Sequence, residues 1–130
     1  MAAPVKVDTP SPKRKLPQAD IPVSNSLDRA VIATDLAGKV VFWNSAAETI
    51  YGWKWDEAIG RLITDLIVSE PDQTDAGRIM EQLRQGKSWT GKFRLRRRDG
   101  THFVATVTDE PIRDSEGNLI GIIGISDYQA

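Results

Sequence analysis

The sequence contains no cysteine and a single histidine, His102. The missing thiols exclude disulfides, thiolate zinc sites, iron–sulfur clusters and cysteine nucleophiles, and the single imidazole excludes any site that needs two. No apolar run approaches the roughly 20 residues of a membrane-spanning helix, and the N-terminus lacks a signal-peptide pattern. We therefore expect a soluble protein of the cytoplasm, with no membrane segment.

The chain also has no large excess of either charge, since it contains 17 basic and 18 acidic residues. A net charge of −1 gives no general field to hold a nucleic acid or an anionic membrane. Lys92, Arg94, Arg96 and Arg98 recur every second residue and predict a basic stripe on one face of a strand. No aromatic residues alternate with them as stacking platforms, so the stripe is typical of a charged edge strand and no nucleic-acid partner is predicted.

Proline is concentrated at one end of the chain. Residues 1–22 hold five of the seven prolines, which disfavour helices and remove backbone donors. This stretch is predicted to be a flexible tail. The remainder, residues 23–130, is long enough for one folded domain.

The hydrophobic pattern of that domain predicts five strands and three helices. Leu119–Ser126 is apolar on both faces, which is typical of a central strand. The pattern of Arg61–Val68 does not decide between a turn of helix and an extended loop. An antiparallel sheet with helices packed on one face, an α+β domain, is the predicted fold class. The predicted strands are 30–34, 39–43, 89–97, 102–111 and 119–126, and the predicted helices are 46–51, 55–59 and 75–85.

Five segments together resemble PAS (Per-Arnt-Sim) sensor domains: residues 43–53 (WNSAAETIYGW), 57–60 (EAIG), 97–101 (RRDGT), 111–114 (PIRD) and 117–121 (GNLIG). The resemblance spans about residues 27–128. It implies a five-stranded antiparallel sheet with the last strand central, and helices that enclose a small-molecule pocket. The residues at the positions that match the family have structural roles. Asn44 is predicted to cap a helix, Gly52 and Gly60 to end short helices, and Asp99-Gly100 to form a two-residue hairpin turn.

The resemblance also implies which side chains point into the pocket. Most of them are apolar, and four could offer polar groups: Thr34, Trp43, Tyr51 and Ser126. A small organic or fatty ligand suits such a wall, but the same side chains could simply fill a core. The implied pocket residues are Ile32, Thr34, Trp43, Ala47, Tyr51, Ile79, Leu83, Phe93, Leu95, Ala105, Val107, Ile122 and Ser126.

Coloured cofactors are not expected from these residues. Light-oxygen-voltage domains, the flavin-binding members of the family, use a cysteine that this chain lacks. They also hold the flavin with amide side chains, at positions that match Leu95, Ala105 and Ser126. Haem-binding members place a histidine on the long helix, whereas His102 falls on a strand and is predicted to be solvated, pointing away from the pocket. A flavin of another kind, held without a covalent bond, is left open but unsupported, and a small apolar ligand is the other alternative.

Catalysis is not predicted. Acidic residues are plentiful, but most of them fall in turns or at helix starts, and no nucleophile has a base placed beside it. These acids include Asp56-Glu57, Asp109-Glu110, Asp114 and Glu116.

The outer sheet face instead predicts an interface, with Val31, Phe42, Val104, Ile123 and Ile125 as its apolar residues. We therefore predict a non-catalytic sensory and interaction module in signal transduction, acting as a homodimer or with a signalling partner. The alternative is a sensor of a small apolar ligand, as the input domain of a histidine kinase of a two-component system or a similar receptor.

Overall fold

The computed structural model describes residues 29–127, which form an antiparallel sheet and a layer of helices. The predicted α+β class and five-stranded sheet are confirmed. The predicted tail, residues 1–22, lies outside the described residues. The elements are β1 (Arg29–Thr34), β2 (Val40–Trp43), α1 (Ser45–Tyr51), α2 (Trp55–Ala58), α3 (Ile63–Ile67), a 3-10 turn (Glu70–Asp72), α4 (Gln73–Arg84), β3 (Trp89–Arg96), β4 (His102–Arg113) and β5 (Leu119–Asp127).

The strands lie in the order β2-β1-β5-β4-β3, so β5 is central as predicted. Both of its edges are paired, with β1 on one side and β4 on the other. An apolar strand of this kind is favoured at the centre because neighbours cover its backbone groups and helices cover its inner face. Strand β3 lies at one edge, as its charged side chains predicted.

An aromatic cluster fills the part of the core nearest α1. The Tyr51 side chain is fully buried, and its ring centroid lies 5.8 Å from that of Trp43 and 5.6 Å from that of Phe103. The Tyr51 hydroxyl lies 2.9 Å from the Ser126 hydroxyl of β5. This hydrogen bond ties the end of α1 to the central strand and satisfies two buried polar groups.

The Asn44 side chain joins β1 to the start of α1. Its Oδ1 accepts hydrogen bonds from the backbone N–H of Ala47 at 2.8 Å and of Val31 at 3.0 Å. Its Nδ2 donates to the Arg29 carbonyl at 3.1 Å. The predicted helix cap is therefore present, and it also holds a strand.

The turn between β3 and β4 differs from the predicted two-residue hairpin. The strands end at Arg96 and resume at His102, so the connection spans residues 97–101. The Gly100 N–H donates to the Arg97 carbonyl, and Gly100 has a φ of +90°. The carboxylate of Asp99 accepts from the side chain and backbone N–H of Thr101, which lowers the pKa of Asp99. The polar side chain of Asp99 therefore fixes a longer turn than the Asp-Gly pair alone indicates.

The segment left open in the sequence, residues 61–68, contains the short helix α3. Its two buried residues, Leu66 and Ile67, pack into the core, which favours a helix over an extended loop. The 3-10 turn that follows was not predicted. No helix among the described residues is long and apolar enough to cross a bilayer.

The basic stripe is shorter than predicted, because β3 ends at Arg96 and Arg98 lies in the turn. Two of its cations are tied to the helical layer. Arg94 Nε lies 2.9 Å from a carboxylate oxygen of Asp72, and Arg98 Nη1 lies 2.9 Å from one of Glu57. These side chains pin the edge strand to the helices and are not a free cationic surface.

We expect Asn44→Ala to lower the free energy of unfolding by about 2–3 kcal/mol, more than the loss of a simple helix cap, because the buried Val31 N–H also loses its partner. Urea unfolding measures this loss. Ser45→Ala, at the exposed first position of α1, is the control. A loss equal to that of the control would show that the side chain does not join the two elements.

Candidate functional site

A cavity of about 100 Å³ lies between the inner face of the sheet and helices α3 and α4. Its wall is mostly apolar, because aliphatic and aromatic side chains of the inner sheet face meet the apolar side chains of the two helices. The wall residues are Ile32, Thr34, Ile63, Thr64, Ile67, Val68, Ala76, Ile79, Met80, Trp89, Phe93, Leu95, Val107, Asp109, Ile122, Gly124 and Ser126.

Eight of the pocket residues inferred from the sequence line this cavity. They come from four strands and from α4, so the fold brings together side chains that are far apart in the chain. The eight are Ile32, Thr34, Ile79, Phe93, Leu95, Val107, Ile122 and Ser126.

The other five, Trp43, Ala47, Tyr51, Leu83 and Ala105, do not line the cavity and are buried instead. Trp43, Ala47, Tyr51 and Ala105 belong to the packed core cluster. Trp43 Nε1 donates to the Trp53 carbonyl at 2.9 Å, so this polar group is already used. The aromatic cluster around Tyr51 therefore fills the volume beside α1, and the cavity is confined to the side of α3 and α4.

The cavity contains one acidic side chain, that of Asp109. Asp109 belongs to the predicted strand 102–111 but was not among the predicted pocket residues, and it lies inside β4 on the inner face of the sheet. In the strand register it stands opposite Trp89 of β3 and Gly124 of β5. Among the described residues, no hydrogen-bond or ion-pair partner is seen for its carboxyl group.

Gly124 makes room for this carboxyl group. A Cβ atom built at position 124 would lie 2.5 Å from Asp109 Oδ1, so any other residue there would force the carboxyl group to move. The absence of a side chain on β5 therefore lets the Asp109 carboxyl lie over the sheet backbone. Strand glycines often mark such a close approach.

Burial raises the pKa of Asp109 to about 7, because the charged form loses its hydration and gains no partner. The Tyr51 hydroxyl is affected as well. Burial raises the pKa of Tyr51 above its usual range, the hydrogen bond with Ser126 opposes this, and the nearby charge of Asp109 adds to it. Near neutral pH the cavity thus holds a carboxyl group that is close to half ionised.

The signal for Asp109 was present in the sequence. Phe103, Ala105 and Val107 were assigned to the inner face, and the next residue in this alternation is Asp109. The same rule applied backwards from Leu95 and Phe93 reaches Trp89, another wall residue that was missed. The wall residues of α3 could not be found this way, because the sequence did not decide between helix and loop there.

His102 is exposed, but it is not solely solvated as predicted. Its Nε2 atom lies 2.5 Å from the hydroxyl of the buried Ser69, in a hydrogen bond whose direction depends on the imidazole tautomer. Neither residue lines the cavity. The contact joins the start of β4 to the segment after α3, which is a structural role.

The five interface candidates lie in different environments. Val31 is fully buried within the chain, so its side chain is not available to a partner. Phe42, Ile123 and Ile125 are half-buried, and they are close together because Ala33 pairs with both Phe42 and Ile123. Val104 is 55% exposed but pairs with Arg94 at the far side of the sheet. The apolar outer face is therefore narrower than the alternation of side chains along the strands predicted, and it consists of Phe42, Ile123 and Ile125.

The family model of the PAS fold matches residues 23–126. The chain belongs to the PAS family. The match covers the whole described region except Asp127, and the resemblance seen in the sequence is confirmed. PAS domains are sensory modules, so this domain has a general sensory role, without a specified signal or partner.

Similar proteins include phototropin-2 of Oryza sativa subsp. japonica, which is 26% identical over 104 residues. This alignment covers 78% of the chain but only 12% of phototropin-2, so the chain corresponds to a small part of that protein. The PAS domain of a Colwellia psychrerythraea protein has a TM-score of 0.71 and 27% identity, covering 84% of this chain and 92% of that one.

Two further structures are of light-oxygen-voltage proteins. An RNA-binding light-oxygen-voltage receptor has a TM-score of 0.70 at 23% identity, covering 85% of this PAS domain and 34% of the receptor. A light-oxygen-voltage domain studied with a flavin analogue has a TM-score of 0.66 at 20% identity, covering 78% of each chain. At these identities the two structures show a shared fold.

The expectation that the domain carries no coloured cofactor is wrong. The chain is similar to phototropin-2 and to light-oxygen-voltage domains, one of them studied with a flavin analogue. The physical reason for the error is that a missing cysteine removes only a thiol, and flavin can be held without a covalent bond. Likewise, the exclusion of nucleic acid stays a prediction, since one protein of this fold is an RNA-binding receptor.

Replacing Asp109 by Asn should stabilise the domain at about pH 8 and leave its stability unchanged at about pH 4. The raised pKa means that the wild type binds its proton more tightly when folded, so its stability falls as the pH rises from about 4 to about 7. The expected difference at about pH 8 is about 2–4 kcal/mol in the free energy of unfolding. Urea titrations at the two pH values measure it.

Glu110→Gln is the matched control, because Glu110 is the next residue and lies exposed on the outer face of the same strand. Two outcomes would contradict the burial of the Asp109 carboxyl group. One is the same pH dependence of the free energy of unfolding in both variants, and the other is a less stable Asp109→Asn variant at about pH 8.

Proposed function

We propose that this PAS domain is a sensor whose cavity between the sheet and helices α3 and α4 binds a small, predominantly apolar molecule. The observation that carries the proposal is an apolar cavity of about 100 Å³ containing one unpaired carboxyl group. Protein interiors are packed as densely as organic crystals and leave few voids larger than a water molecule. An unfilled volume at this place is therefore a candidate binding site.

The size of the cavity limits the ligand. An engineered cavity of about 150 Å³ binds benzene, which has six heavy atoms, so a cavity of about 100 Å³ suits a molecule of roughly four or five heavy atoms. A flavin ring system is much larger, and it would fit only if the helices or Trp89 moved outward. Flavin is the candidate suggested by the relatives, and Leu95 and Ala105 offer it no hydrogen bonds.

Three finer assignments stay predictions: that the domain is not an enzyme, that it is located in the cytoplasm, and that it is the input of a histidine kinase or similar receptor. The residues that line the cavity supply one carboxyl group and no nucleophile–base pair, which supports a binding role. The activities of the longer relatives are not transferred, because the chain matches only a small part of them.

The wild-type domain should bind isobutanol with a dissociation constant on the order of 1 mM, a modest affinity for five heavy atoms. Ala76→Leu should weaken this at least about fivefold, because Ala76 is a buried wall residue of α4 and the larger side chain fills the cavity. Titration by protein NMR measures both constants.

Thr74→Leu, an exposed substitution on the same helix outside the cavity, is the control. Native mass spectrometry and an absorbance spectrum of the purified protein test for a ligand or flavin retained from the cell. If no molecule is retained and isobutanol perturbs no wall residue, the sensor proposal fails.

Self-association through the outer sheet face is the second candidate function. It is favoured by the adjacent, half-buried side chains of Phe42, Ile123 and Ile125, which are apolar at a place where solvent reaches them. A second copy of the domain would bury them further. Next to β5, strand β4 adds the polar side chains of Thr106, Thr108 and Glu110 to this face, so the apolar contact would be limited to β2, β1 and β5.

Ile123→Asp should shift the domain toward monomer while leaving its helix and strand content unchanged, because a charge would be buried in the contact. Sedimentation velocity at several concentrations measures the shift, and circular dichroism checks the fold. Thr106→Asp, on the exposed outer side of β4, is the control. Two monomers of equal size at all concentrations would count against self-association.

A further inference from the structure

The carboxyl group of Asp109 is half-buried against an apolar wall, and that wall holds no counter-charge. The other wall residues, which come from β1, β3, β4, β5 and the α3–α4 region, carry no titratable side chain. The charge of Asp109 adds to the burial that raises the pKa of the Tyr51 hydroxyl, so Tyr51 stays neutral and supplies no counter-charge. A charged Asp109 therefore has no cationic partner within the wall of the described cavity.

Most buried carboxylates are paired, because an isolated charge is costly to remove from water. Here folding has already removed much of the Asp109 side chain from water. A ligand that brings a positive charge would lose its own hydration but would gain an attraction that the enclosed site screens poorly. The main cost of a buried ion pair is the dehydration of its two charges. Folding removes much of the hydration of the carboxylate, and mainly the dehydration of the ligand's charge is left to the binding step.

The neighbours of Asp109 on the β3 side are aromatic. Trp89 is its cross-strand partner, and the Trp89 ring packs edge-on against that of Phe93 with a centroid distance of 6.4 Å. Aromatic faces attract cations as well as apolar groups. A carboxyl group beside indole and phenyl rings is a combination suited to an ammonium group on an apolar body.

A metal ion is a poorer match for the same site. Calcium and magnesium take six or more oxygen ligands, and the cavity wall provides a single carboxylate. No cluster of three or more potential metal-ligating side chains occurs within residues 29–127. A single monovalent cation fits the charge that is present.

We propose that Asp109 makes the cavity selective for small molecules that carry a protonated amine on a short apolar body. This inference rests on the proposed sensor function and names its ligand class. The ammonium group would donate a hydrogen bond to the Asp109 carboxylate, and the alkyl part would contact the aliphatic wall formed by the strands and α4.

Isobutylamine and isobutanol test the proposal, because they differ only in the group that would face Asp109. At about pH 8, NMR titration should give at least about tenfold tighter binding of the amine. Asp109→Asn should abolish that preference, so that the variant binds amine and alcohol equally, and the dispersion of its NMR spectrum shows that it folds. Glu110→Gln should keep the preference.

The pH dependence gives an independent measurement. An alkylamine resembles a lysine side chain, whose pKa of about 10.4 keeps it protonated below pH 8. The affinity for isobutylamine should fall about tenfold between about pH 8 and about pH 6 as Asp109 takes up a proton, whereas isobutanol should bind equally at both. The Asn variant should show no such fall.

The outcomes separate the two proposals. Equal binding of amine and alcohol by the wild type would overturn the inference and leave the sensor function standing. A preference for the amine that persists in Asp109→Asn would also overturn the inference. Failure of both probes to bind would overturn the sensor function and the inference together.

Discussion

The alternation of side chains along β4 is the constraint on which the site depends. Successive residues of a strand point to opposite faces, so Asp109 must share the face of Phe103, Ala105 and Val107. Turning its carboxyl group to solvent would require a shift of register that exposes those apolar side chains. The sheet thereby holds an acid against the helices, where burial raises its pKa, and the bare backbone at Gly124 gives the carboxyl its space.

The aromatic cluster decides where the free volume lies. Tyr51 is fully buried and hydrogen-bonded to Ser126, and it contacts Trp43 and Phe103, so the region beside α1 is filled and satisfied. Small or flexible side chains of α3 and α4, such as Ala76, face the rest of the sheet. A PAS fold can hold a filled core at one end and a cavity at the other, and the difference comes from a few side-chain volumes.

Most of the fold could be predicted from the sequence because its signals are local. Alternating strands, the cap at Asn44 and the apolar central strand each follow from neighbouring residues. The site could be predicted only in part. Strand alternation reaches Asp109 and Trp89 if it is followed to the end of each strand, but the filling of the pocket by Tyr51 depends on how distant rings pack. The α3 wall depends on a helix too short to show a periodic pattern. The missing cysteine argued against a light-oxygen-voltage flavin site, so the overall similarity to light-oxygen-voltage domains was not predicted from it.

The most direct test of this account is the titration of the Asp109 side chain itself, followed through its carboxyl carbon by NMR in the uniformly labelled domain. The account predicts a midpoint of about 7, with the resonance assigned through loss of the signal in Asp109→Asn. A midpoint near that of an ordinary aspartate, about 4, would show that the carboxyl group is hydrated, and the description of the cavity as an enclosed site with an unpaired acid would be contradicted.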